Sequence, residues 1–280
     1  MAIESRSIRI ETRDGVTLHC LRWEPSGAEE LRAARPLVLL HGGGANAHWW
    51  DHLARELARH RCVHALDFRG HGDSEHPEER RVGAFNLDLE ALVEFLGRQD
   101  VDLVGHSLGA AVALDHASRF EATHSIALID LARGSTPGSR RRARLALSLR
   151  RTYPSFDEAV SRYRFLPESS HASEALRRHI ARHSVRREAD GRFGFKFDPA
   201  WFGLPAKPRP DLARVRCPVL LVRGAESALL SAEAAREFIG HLAKARLVEI
   251  ERAGHHVLLD QPERLRAVLE EFLAEAVAAS

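Results

Sequence analysis

The stretch VDLVGHSLG at residues 101–109 limits the fold more than any other part of this chain. Val101, Leu103 and Val104 make a short apolar run, glycines bracket a turn, and an alanine-rich helical pattern follows through Ala110, Ala111, Ala113 and Leu114. A short apolar run closed by a turn signal reads as a buried strand. The stretch therefore predicts strand, sharp turn and helix, with Ser107 at the apex. A serine in a G-x-S-x-G turn sits in strained backbone that stands its Oγ clear of the sheet edge. Glycine suits positions 105 and 109 because helix and neighbouring strand pass close to such a turn. Alone, the five letters are a weak signal, since glycine and serine are common in turns. With the flanking elements they make Ser107 a candidate nucleophile; the plainer alternative is a strand-to-helix turn in which Ser107 only caps the helix.

The chain on either side supports a layered α/β fold. Residues 7–12 and 16–23 flank Asp14-Gly15, a strong hairpin signal. A polar loop at 26–35 leads to a buried-strand run at 36–40, which ends in His41-Gly42-Gly43-Gly44. A helical pattern at 48–59, a strand at 62–68, a helix at 83–98 and a strand at 125–131 continue the rhythm around the central turn, whose helix runs to about Phe120. Strands alternating with helices predict a doubly wound, mostly parallel sheet behind an antiparallel N-terminal hairpin. After Ala132 the rhythm breaks. Residues 133–210 show arginine-rich helical segments at 139–151, 155–166 and 173–187, then an aromatic stretch punctuated by Pro199, Pro205, Pro208 and Pro210. The sheet pattern resumes at 218–224, with a helix at 231–242, a strand at 247–250 and a helix at 262–277. The division expected is a core of residues 1–132 and 211–280 carrying an inserted helical cap at 133–210.

Composition narrows the partners. Forty-one basic against 39 acidic residues leave a net charge of +2, which gives no reason to expect nucleic acid. Cys20, Cys62 and Cys217 are odd in number and lie in or beside apolar runs, so they are expected to be reduced core residues of a cytoplasmic protein. The segment MAIESRSIRI is charged early and has no apolar centre, which predicts no secretory leader. No apolar run approaches the roughly 18 residues of a membrane helix. Metal-site and phosphate-loop patterns are absent, so neither a metal nor a cofactor is expected.

An acyl-transfer site needs a nucleophile, a base, an acid to orient the base, and donors for the oxyanion. In this architecture the base belongs on a loop after the last strand, where His255 follows Gly254, with His256 as its neighbour. Leu108 opens the elbow helix, whose N-terminus favours negative charge, so its N–H is one oxyanion donor. The second is assigned to Gly43, with Gly42 next; the alternative is that these glycines serve turn geometry alone.

HGGGA at 41–45, DFRGHGDS at 67–74, GHSLG at 105–109 and GHHVLLDQPE at 254–263, in this order, resemble the α/β-hydrolase family. The resemblance covers 1–132 and 211–280 and not the cap. It implies that Asp67, Arg69, Gly70, Gly72 and Ser74 brace the loop after the fourth strand, and that His106 points away from the nucleophile. It also exposes a departure: where relatives usually carry the acid, three residues past the glycine of PVLLVRG, this chain has Ser227, followed by Ala228. Asp130, 23 residues past Ser107, stands where some members such as haloalkane dehalogenases place theirs. Glu226 lies in the usual loop, one residue early. Asp130 is the first choice, Glu226 the alternative, and a chain without a working acid the third possibility.

The resemblance implies a serine hydrolase of a carboxylic ester, lactone or thioester, acting on a small molecule without a cofactor. A serine rather than an aspartate at the elbow argues against epoxide-hydrolase or dehalogenase chemistry. Carbon–carbon bond hydrolysis and a catalytically weak small-molecule binding protein are the other readings. Trp49, Trp50, Phe193, Phe195, Trp201 and Phe202 are candidates to line an apolar acyl or aromatic pocket, of which Trp49, Trp201 and Phe202 are preferred, though core packing suits each equally well. Arg140, Arg141, Arg142 and Arg144 read more readily as a solvated helix face than as an anion site.

Overall fold

The computed structural model describes residues 3–24, 34–132, 151–168, 171–205 and 207–278. At its centre is an eight-stranded sheet. Strands β3 (Leu37–Leu40), β4 (Val63–Leu66), β5 (Asp102–His106), β6 (Ser125–Ile129) and β10 (Val219–Gly224) are buried along their whole length. Both faces of the sheet are covered, which is why these strands read as apolar runs instead of alternating ones. They pair in parallel, and β11 (Ala245–Ile250) extends the parallel ladder to one edge. The expected hairpin, β1 (Ser5–Glu11) and β2 (Thr17–Trp23), supplies the other edge and pairs antiparallel with β4. The strand order across the sheet is β1-β2-β4-β3-β5-β6-β10-β11.

A 3-10 turn at Ala47–Trp50 runs into α1 (Asp51–Leu57), and with α8 (Pro262–Ala278) it covers one face, where Trp50, Leu53 and Leu57 share a core with Leu265, Leu269 and Phe272. On the opposite face α2 (Ala84–Phe95), α3 (Leu108–Arg119) and α6 (Ala232–Gly240) bury Leu89, Leu92, Ala113, Leu114 and Phe238. This is the doubly wound α/β architecture expected. The three cysteines are buried and form no disulfide; burial raises the thiol pKa of each, so they remain protonated. Among the described residues no helix is long and apolar enough to cross a membrane.

Between β6 and β10 the chain leaves the main sheet. The helix expected over 139–151, with Arg140, Arg141, Arg142 and Arg144, lies outside the described residues apart from residue 151. The segment after it is only partly helical. Helices α4 (Phe156–Arg162) and α5 (Glu174–His183) accompany a separate antiparallel sheet of β7 (Thr152–Tyr153), β8 (Val185–Arg187) and β9 (Phe193–Phe195), in the order β7-β9-β8. The helix expected to reach residue 187 stops at His183. Val185, β-branched, begins a strand instead, and Gly191 at φ +82° turns the chain back on itself. Phe165, Ala172 and Ile180 tie this segment into the core cluster around Trp49.

His64 sits on β4 with neither ring nitrogen hydrogen-bonded among the described residues, and burial, assisted by Arg22, pushes its pKa down to about 3. The unfolded chain binds that proton near pH 6.5. The folded chain refuses it until about pH 3, so this share of stability is complete above pH 6.5 and declines as pH falls through the window. Replacing His64 by Leu is expected to spare about 2 kcal/mol of the loss between about pH 7 and pH 5, read from urea unfolding at each pH. Parallel declines in parent and variant would show that His64 is not held neutral.

Candidate active site

Ser107 directly follows β5 at φ 51°, a left-handed conformation unusual for a side chain with a β-carbon. Such backbone costs of order 1–3 kcal/mol and persists where its surroundings over-determine it. Here they do. The Ser107 N–H donates to the Ile129 carbonyl at 3.0 Å and the Gly109 N–H to the His41 carbonyl at 3.1 Å. A β-carbon on Gly105 would lie 2.3 Å from the Gly109 backbone, and one on Gly109 would lie 2.3 Å from the Leu40 carbonyl oxygen. The Ser107 side chain makes no capping hydrogen bond, so its hydroxyl is not spent on the helix.

Asp130 follows β6, the neighbouring strand, and also has a positive φ, 47°. Its N–H donates to the Val222 carbonyl at 2.8 Å, and its side chain has no exposed surface. The His255 Nδ1 lies 2.6 Å from Asp130 Oδ2. An imidazole that donates through Nδ1 has its Nε2 lone pair available as a base. Ser227, in the place where relatives usually carry the acid, donates its Oγ–H to the same Oδ2 at 2.6 Å and accepts the N–H groups of Leu229 and Leu230 at 3.2 Å. The Gly224 N–H reaches Asp130 Oδ1 at 3.3 Å. Glu226 is not part of this group: its side chain is half exposed and meets His171 at 3.1 Å. Of the two carboxylates considered, Asp130 is the one in contact with His255.

A cavity of about 310 Å³ opens at the C-terminal ends of the parallel strands, with Ser107, His255, Leu108, Gly42 and Gly43 in its wall. Trp49, Trp201 and Phe202 line it as expected, together with Leu131, Leu166, Pro167 and Leu229. Trp50 is instead fully buried in the core, and Phe193 and Phe195 pack against Phe156, Tyr153 and Tyr163 in the small sheet's own cluster. Among the described residues, neither Leu108 nor Gly43 gives its N–H to a backbone acceptor. Gly43 is pressed by Phe202, whose ring would lie 2.7 Å from an added β-carbon, and Gly42 likewise by His106.

His106 also borders the cavity. Its ring lines the cavity 4.7 Å from the His255 ring, because its Nε2–H finds an acceptor in the His255 carbonyl at 3.0 Å. Burial, then the nearby His255 and His256, holds its pKa well below the ordinary value. His256 donates from Nε2 to the Pro167 carbonyl at 2.9 Å. Asp260, in the one-turn helix α7 (Val257–Asp260), accepts the Gly254 N–H at 2.8 Å on one oxygen and the His171 N–H at 3.2 Å on the other. Sequence reasoning missed the parts of Ser227, His106, His256 and Asp260. The one available hint was a hydroxyl residue where an acid was due.

The bracing loop matches the resemblance. Asp67 accepts the Ala47 N–H at 2.6 Å, the Asp73 N–H at 2.9 Å and His19 Nδ1 at 2.7 Å. Arg69 joins Asp88 and Asp14, and Ser74 Oγ donates to the Asp67 carbonyl. Gly72, at φ 55°, leaves room for the Asp67 carboxylate, 2.2 Å from where a β-carbon would stand.

Residues 37–268 match the model of the alpha/beta hydrolase family, and the chain belongs to that family. It is a hydrolase. An esterase of Mycobacterium tuberculosis, Rv0045c, is 29% identical over 282 residues, covering 94% of this chain and 89% of the relative. A pimeloyl-[acyl-carrier protein] methyl ester esterase of Neisseria meningitidis is 29% identical over 258 residues, covering 86% and 94%. In three dimensions the chain is similar to E-2-(acetamidomethylene)succinate hydrolase, with a TM-score of 0.83 at 23% identity over 97% of this chain and 100% of the other, a likeness of fold.

Ser227→Ala removes a hydrogen bond to a buried carboxylate. It is expected to cost about 1.5–3 kcal/mol of stability in urea unfolding at neutral pH. A loss below about 0.5 kcal/mol would mean that Ser227 does not hold Asp130.

Proposed function

We propose that the protein hydrolyses carboxylic esters, lactones or thioesters through an acyl-enzyme on Ser107. The observation that carries the reading is the 2.6 Å contact between His255 Nδ1 and the buried Asp130 carboxylate, beside a cavity that Ser107 also lines. With Nδ1–H committed to Asp130, Nε2 takes the Ser107 proton as Oγ attacks the substrate carbonyl. The carbonyl oxygen becomes an anion between the N–H groups of Leu108 and Gly43, donors that need no reorganisation. The His255 imidazolium, facing Asp130, gives its proton to the leaving alcohol or thiol. Water then cleaves the acyl-serine by the same route, with His255 again as base.

We read residues 133–210 as a cap over the core of 1–132 and 211–280. Support comes from Leu166, Pro167, Trp201 and Phe202, which belong to that stretch and close the cavity. The cavity lies at the small end of ligand sites, and its aromatic and aliphatic wall suits a short apolar acyl or aromatic group. That two of the similar proteins are named as esterases agrees with ester chemistry.

Hydrolysis of p-nitrophenyl esters of increasing acyl length tests the reading. Ser107→Ala, His255→Ala and Asp130→Asn are each expected to lower kcat by about 10⁴-fold, and Glu226→Gln to stay within about twofold. Undiminished turnover by Ser107→Ala would overturn the acyl-enzyme, and undiminished turnover by Asp130→Asn would overturn the acid. A wild type that is inert on esters while a fluorophosphonate labels Ser107 would replace ester hydrolysis by carbon–carbon bond cleavage. No labelling at all would make the protein a binder.

A further inference from the structure

Outside the lining of the cavity, four side chains from three elements converge. His48 and Asp51, three residues apart, come from the 3-10 turn and the start of α1; His179 and His183, four apart, come from one face of α5. Their donor atoms all lie within 4.8 Å of one another. His48 Nδ1 is 2.9 Å and His179 Nε2 2.7 Å from Asp51 Oδ2, and the His48 and His183 rings stack at 3.9 Å. The other carboxylate oxygen, Asp51 Oδ1, is buried without a hydrogen-bond partner among the described residues.

We propose that His48, Asp51, His179 and His183 form a binding site for one divalent transition-metal ion of the zinc type, bridging α5 to the loop after β3. Three imidazoles and one carboxylate are the nitrogen and oxygen donors that Zn²⁺ takes in tetrahedral sites. Bonds of about 2.0–2.1 Å put tetrahedral donors about 3.3 Å apart, so the observed cluster needs only small rotations to close on an ion. Helix α5 and the loop after β3 are already registered, because Asn46 Nδ2 donates to Ser184 Oγ at 2.9 Å, one residue past His183. No short motif announces the site, since its two pairs lie more than a hundred residues apart in the sequence.

Titration of the chelator-treated full chain with Zn²⁺ alone tests the assignment, with Co²⁺ as a spectroscopic probe. One ion per chain, a tetrahedral cobalt d–d spectrum, and a melting temperature raised by about 5 °C at a hundredfold excess over Kd are expected. His183→Ala and Asp51→Asn are each expected to weaken binding by at least about tenfold and remove the cobalt spectrum. Should either fail to fold, His179→Gln, at a more exposed ring, carries the same readout. Absence of saturable binding would overturn the proposal. So would binding that these variants leave unchanged, which would move the ion to another group such as His106, His255 and His256.

Discussion

The Leu40 carbonyl oxygen lies 2.3 Å from where a β-carbon on residue 109 would stand. This close approach between the end of β3 and the first turn of α3 sets the position of everything at the mouth of the sheet. It forces glycine at 109, brings the Gly109 N–H onto the His41 carbonyl, and leaves Ser107 no choice but a left-handed backbone. His41 extends the constraint sideways: its Nε2 accepts the Phe68 N–H, and its Nδ1 reaches the Gly42 carbonyl at 2.7 Å. Burial keeps that imidazole pKa low, so it holds the loops after β3, β4 and β5 together as a neutral bridge. Ser107, Leu108, Gly43 and the bracing loop are in this sense one piece.

Asp130 is positioned by a different rule. Strands β6 and β10 are adjacent and parallel, so their C-terminal ends open onto the same point, one strand spacing apart. A carboxylate leaving either end can meet the imidazole of His255. In this chain β6 supplies it, and the loop after β10 supplies Ser227 as a hydrogen-bond donor to it. The positive φ of Asp130 matches this: the turn that presents the carboxylate is held by its own N–H on Val222 and by two donors from across the strand boundary. Buried polar groups grouped this tightly stiffen a site because each is satisfied by the others.

How much could be read from the sequence depended on how each part is stabilised. Strands β3 to β6 and β10 were legible because burial on both faces leaves a contiguous apolar record, and the elbow because its glycines answer to a collision that no other residue avoids. The edge strand β11 was legible in its last four residues, and Ala245 and Arg246 before them lie on a partly exposed border. Strands β7 to β9 escaped notice because each is two or three residues long, and they form only by pairing with one another. Ser107 and His255 stood at motif positions. Asp130 was the first choice by resemblance, and that it and not Glu226 touches His255 follows from which strand ends are neighbours, a fact of topology rather than of local pattern. The acceptor for the His106 ring lies 149 residues away, out of reach of any local pattern.

The two bonds that run from the cavity wall to the loop of His255 have a mechanical meaning. The Pro167 carbonyl is held by His256, and Asp260 holds the His171 N–H with one oxygen and the Gly254 N–H with the other. Gly254 and His256 flank His255 on both sides. Pro167 and His171 are thereby tied to the backbone on either side of His255. The His255 imidazole is therefore fixed from two directions, at its ring by Asp130 and at its backbone by these ties.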